Sequence, residues 1–137
     1  MSVQEKRAWI YLVTAIGVPL VYFMYVLTRG QDAGTIAYVR PLLLALLVGV
    51  GLNIVIDIVT SAGAPKDAGR TDERDRQITR LGNHIGFFAV SIVAVVPLGL
   101  AMAKAPYFWI ANTIYLAFIA SAIASALVRI VAYRRGL

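Results

Sequence analysis

The chain contains no cysteine and a single histidine. Without thiols there is no disulfide, no cysteine nucleophile, no iron–sulfur cluster and no cysteine-based zinc site. His84 lacks a second imidazole or thiolate to complete a metal or haem site, so neither metal nor cofactor is expected. Catalytic signatures are missing too: there is no Gly-rich phosphate loop, Gly-x-Ser-x-Gly elbow or His-Glu-x-x-His helix. Acidic residues number only 7. Their densest group, Asp72, Glu73 and Asp75, is interleaved with Arg74 and Arg76, which cancel the field that a cation needs. The chain is therefore not expected to be an enzyme.

Charge of either sign is scarce. Of 137 residues, 15 % are charged and 60 % hydrophobic, well beyond what a soluble domain of this size requires. The surplus falls in four runs, 8–28, 41–60, 85–103 and 107–128. Each has about the 20 apolar residues that carry a helix across a hydrocarbon layer of about 30 Å. Backbone groups in lipid must be satisfied internally, and the runs are too long and too uniformly apolar for barrel strands. The expected fold class is all-α, a polytopic transmembrane four-helix bundle forming a single membrane domain over 1–137. The first run exceeds the apolar length of a cleaved signal peptide. Tyr22-Phe23-Met24-Tyr25 also stands where a small-residue cleavage site belongs, so this run is read as a retained span.

Positive residues orient the bundle, because Lys and Arg near span ends stay in the cytoplasm. Lys6, Arg7, Lys66, Arg70, Arg74, Arg76, Arg80, Arg129, Arg134 and Arg135 fall on one side, and only Arg29, Arg40 and Lys104 on the other. Both termini and the 61–84 loop are thus expected on the cytoplasmic face of a cell inner (plasma) membrane. This sorting accounts for the net charge of +6 without direct nucleic-acid binding. Trp9 at one end, and Tyr38, Tyr107, Phe108 and Trp109 at the other, read as interfacial anchors.

The 61–84 loop begins with small residues, Gly and Pro, and then changes character. A short polar helix is expected over 71–81, with Thr71 as N-cap, acids in its first turn and bases later. Asp72 with Arg76, and Glu73 with Arg76, are spaced for weak surface pairs. The helix should run into the third span, with Gly82 and Gly86 as bend points. Asp72, Glu73, Asp75, Arg76 and Arg80 form either a solvated face or a surface for docking a cytoplasmic partner.

Spans two and four share a pattern. Ala45, Gly49, Asn53 and Asp57 recur every four residues, as do Ala117, Ser121, Ser125 and Arg129, so each set forms a ridge on its helix. Small residues at this spacing let helices approach closely, and the two ridges are expected to pack together. A carboxylate in a span needs a partner. Arg129 is the first choice for Asp57 and Arg80 the second, as a structural clasp or as part of a solute or proton site. Asn53, Asp57, His84 and Arg129 would then form an intramembrane polar layer. A weaker repeat, Val18-Pro19-Leu20 with Met24 and Val96-Pro97-Leu98 with Met102, suggests two related helical hairpins with kinking prolines.

The run Asp72-Glu73-Arg74-Asp75-Arg76-Gln77-Ile78 before the third span resembles uncharacterised small four-helix prokaryotic membrane proteins. These carry an Asp-Glu-Arg-Asp/Glu-x-x-Ile element between two hairpins. The closing Ala132-Tyr133-Arg134-Arg135-Gly136 is similar to the tails of actinobacterial members. Some members are encoded beside small helix-turn-helix regulators, so the resemblance implies such a regulator as a cytoplasmic partner. The expected function is a non-enzymatic interaction or regulatory membrane component, self-associating in the bilayer and binding a cytoplasmic protein. The alternative is a small oligomeric transporter or channel subunit using the Asp57, Arg129 and His84 layer.

Overall fold

The computed structural model describes residues 2–29, 37–63 and 73–136. Among the described residues five helices follow one another: α1 (Val3–Leu27), α2 (Val39–Ala62), α3 (Glu73–Val93), α4 (Val95–Met102) and α5 (Tyr107–Arg135). With α3 and α4 forming one long unit, Glu73–Met102, four spans are long and apolar enough to cross a membrane. Among the described residues there is no strand. The chain is an all-α, multi-pass membrane protein.

Local chemistry sets the helix ends. The Ser2 hydroxyl caps α1 by accepting from the Glu5 amide at 3.1 Å, and Glu5 lies where the helix dipole favours an acid. α5 ends at Gly136 in the left-handed region, with Arg134 and Arg135 in the last turn. The turn after α4 pairs the Ala105 amide with the Leu100 carbonyl at 3.0 Å and the Lys104 amide with Ala101 at 3.1 Å. These are the two bonds of a Schellman motif, with Pro106 after it. Its left-handed position holds Lys104, at φ 55°.

The two prolines behave differently. Pro19 lies inside an unbroken α1, whereas the third span breaks at Ala94 and restarts with Pro97 in the first turn of α4. There the missing amide costs least, because first-turn amides lack intrahelical partners. Gly82 and Gly86, expected as bend points, lie within continuous α3.

The layout is asymmetric. α5 is central, packing along α3, α1 and α4, while α2 packs chiefly along α1. Only 6 % of the apolar window of α2 is buried, against 22 % in α1 and α5. At the end bearing the chain termini, Ala8, Leu12, Ala126 and Ile130 join α1 to α5. At the opposite, turn end, Tyr22, Val26, Ala45, Phe108 and Tyr115 form a second cluster, with the Tyr22 and Tyr115 rings edge to face at 5.4 Å. Part of the expected aromatic belt is therefore core. Phe108 is buried and meets Tyr38 edge-on, while Tyr107 and Trp109 remain exposed.

Candidate functional site

A cleft of about 320 Å³ with polar lining lies near the terminal end, between α1, α2 and α5. Alanines from two helices, Ala8 and Ala15 on α1 and Ala122 and Ala126 on α5, leave the space. Tyr11, Asn53, Ser125 and Arg129 bring polarity to it.

Asp57 finds its partner in α1: the Tyr11 hydroxyl donates a hydrogen bond to Asp57 Oδ1. One turn further, Arg7 Nη2 donates to the Ser61 hydroxyl at 3.0 Å. α2 is thus tied to α1 by two polar contacts on one side of the bundle.

Arg129 reaches the other way. Its Nη2 donates to Asn83 Oδ1 of α3 at 2.6 Å, crossing the backbone that Gly82 leaves bare. A Cβ at Gly82 would stand 2.7 Å from Arg129 Nε and 3.2 Å from the Ser125 carbonyl oxygen. One turn on, a Cβ at Gly86 would stand 3.1 Å from the Ser121 hydroxyl and 3.3 Å from Ser125 Cβ. The two glycines thus serve close helix contact.

These contacts correct two expectations. The Ser121, Ser125 and Arg129 ridge of the fourth span meets Gly82 and Gly86 of α3, whereas a Cβ at Gly49 meets nothing within 4 Å. Ala45 is buried in the turn-end cluster and Ala117 is buried on α5, but no continuous seam joins α2 to α5. The physical reason is that α3 supplies two glycines at ridge spacing and packs more closely against the serines than α2 does. Second, among the described residues no ion pair joins Asp57 to Arg129 or to Arg80, since Tyr11 holds the carboxylate and Asn83 takes the guanidinium.

Of the expected polar layer, Asn53 and Arg129 line the cleft and Asp57 reaches its edge through Tyr11. His84 does not belong to it. It is exposed, with its ring edge-on to Phe88 at 4.9 Å. Two buried polar atoms of the cleft, Asn53 Oδ1 and Arg129 Nε, have no hydrogen-bond partner. Arg129 Nε lies against the α3 backbone at Gly82, so the unpartnered acceptor Asn53 Oδ1 is the group that leaves the cleft room for ordered water or a small polar solute. Among the described residues no group of His, Asp and Glu suits a metal ion.

The expected docking residues divide. Thr71 and Asp72 lie outside the described residues. Glu73 and Arg76 pair at 3.9 Å, both well exposed, and Arg80 is also exposed. Asp75 instead accepts from the Tyr133 hydroxyl of α5 at 3.0 Å, beside the buried Ile78. Sequence reading missed Tyr11, Tyr133 and Asn112. Asn112, buried at 4 % exposure, accepts from the Tyr22 hydroxyl at 2.6 Å and donates to the Phe108 carbonyl oxygen at 2.7 Å. An amide within an aromatic-rich span was the available signal.

Fold and site together define a helical multi-pass membrane protein with a polar cleft at one end. No protein family, curated protein or solved structure matches the chain.

Proposed function

We propose that this protein is a non-enzymatic membrane component that acts by association, presenting the first turns of α3 to a cytoplasmic protein. The observation that carries the reading is the way α3 leaves the bundle. Its charged turns are part of one continuous helix, fixed to α5 by the Asp75–Tyr133 hydrogen bond and the glycine contacts, with Ile78 buried. Glu73, Arg76 and Arg80 stay exposed on it. A preformed charged face binds without first ordering itself. Placing that face in the cytoplasm rests on the distribution of Lys and Arg. The resemblance of its sequence supplies the class of partner, a small helix-turn-helix regulator.

Replacing Glu73, Arg76 and Arg80 together by alanine spares the anchoring contacts. The partner cross-linked to the wild-type chain in its own membrane should then fall at least tenfold in yield, with insertion and thermal stability unchanged. Undiminished recovery of the partner refutes the proposal.

A second reading, a solute-conducting subunit, is favoured by the unpartnered Asn53 Oδ1 in a cleft that Arg129 also lines. Four spans enclose little space, so it requires an oligomer. It predicts flux in reconstituted vesicles that disappears in Asn53→Leu and Asp57→Asn, and silence across common ions and lipophilic cations counts against it.

A further inference from the structure

At the turn end an open groove of about 1060 Å³ runs between α1 and α2. Its walls are apolar: Gly17, Val18 and Val21 on one side, Leu44 and Val48 on the other. Its mouth is cationic, formed by Arg29 and Arg40 beside Tyr25. The Arg29 side chain donates to the Tyr25 hydroxyl, and its guanidinium lies 4.5 Å from that ring's centroid. Arg40 is exposed. None of the described residues lining the groove is acidic.

From Gly17 to the end of α1 at Leu27 the helix rises about 15 Å at roughly 1.5 Å per residue. That is about half of a hydrocarbon core of about 30 Å, the depth of one leaflet. The groove is therefore as deep as one acyl chain's leaflet, apolar along that depth, and closed at the membrane surface by two guanidinium groups. Guanidinium binds phosphate through paired charge-assisted hydrogen bonds. A helix from a second copy would fill the walls, but none of the described acids, Glu5, Asp57, Glu73 and Asp75, lies at this end to meet the two arginines.

We propose that this groove binds an anionic phospholipid, with an acyl chain along α1 and α2 and the headgroup phosphate between Arg29 and Arg40. The site is separate from the α3 face, so the two proposals stand or fall independently.

The test uses the full chain in mild detergent, titrated with phosphatidylglycerol or phosphatidylcholine of identical acyl chains. Retained lipid is counted by native mass spectrometry and stability is followed by thermal unfolding. The wild type should retain phosphatidylglycerol at least fivefold better and be more strongly stabilised by it. Arg29→Gln with Arg40→Gln should remove that preference, at roughly fivefold per arginine, and should lower phosphatidylcholine retention far less, because choline already offsets the charge of its phosphate. A Cβ at Gly17 meets nothing within 4 Å, so Gly17→Phe should fold normally yet lose most retained lipid of both kinds. Equal retention of the two lipids by the wild type overturns the proposal. So does full preference in the double glutamine variant, unchanged retention in Gly17→Phe, or competition by glycerol 3-phosphate as effective as the lipid's own binding. Cross-links across the groove to a second copy overturn it in favour of an interface between chains.

Discussion

A methyl group added at Gly86 would press on the Ser121 hydroxyl at 3.1 Å and the Ser121 carbonyl oxygen at 3.2 Å. The same group added at Gly49 or Gly51 would meet nothing within 4 Å. In lipid, where burial of apolar surface gives helices little reason to associate, close packing and polar contacts carry the pairing. Gly86→Leu should therefore cost about 1–3 kcal/mol by forcing α3 away from α5. Gly49→Ala should be neutral or stabilising by up to about 1 kcal/mol, because it removes backbone freedom from the unfolded chain. Unfolding of both variants in mixed micelles checks the opposite signs, and equal losses would refute the assignment. Sequence spacing could not make this distinction. Gly49 and Gly86 each have a small or polar residue four positions away, and only the position of the facing helix decides which one is crowded.

At the level of elements, α2 hangs on α1 through polar side chains, with Tyr11 to Asp57 and Arg7 to Ser61 near the terminal end. Tyr11→Phe leaves Asp57 without its donor and should cost about 1.5–3 kcal/mol, the range for a hydrogen bond to a charged group. Exchanging charges, Asp57→Arg with Arg129→Asp, should restore nothing beyond the sum of the single losses, because each residue has its own partner on a different helix. A double-mutant cycle on unfolding free energy measures both, and a clear rescue in the exchange would mean that the two side chains meet.

The element boundaries were largely legible in the sequence because length and apolarity determine them in lipid. Each of the four expected runs falls on one of the observed spans, but the helices reach beyond them: α1 starts at Val3, the third span at Glu73 with the polar residues before the run, and α5 ends at Arg135. Partner choice was less legible. The ridge on span two and the ridge on span four have matching spacing and opposite terminal charges, and pattern alone cannot show that Asn83 and Tyr11 lie nearer to those charges. A phenol carries no formal charge, so a search for countercharges passes over Tyr11 and Tyr133 alike.

On the scale of the whole molecule, the polar contacts sort by hairpin. Tyr11–Asp57 and Arg7–Ser61 close within α1 and α2, and Asn83–Arg129 and Asp75–Tyr133 close between α3 and α5. Contacts between the hairpins are fewer: Tyr22 with Asn112 in the interior and Glu5 with Arg134 at the terminal end. The central helix, α5, follows α1 to α4 in the chain. While the ribosome is still translating the second half, the first hairpin already has a donor for its one intramembrane carboxylate. Arg129 leaves the translocon after Asn83 is in place to receive it. Each hairpin thus satisfies its own spanning charge, Asp57 in the first and Arg129 in the second, and the polar groups that meet only when the halves join include Tyr22 with Asn112 and Glu5 with Arg134.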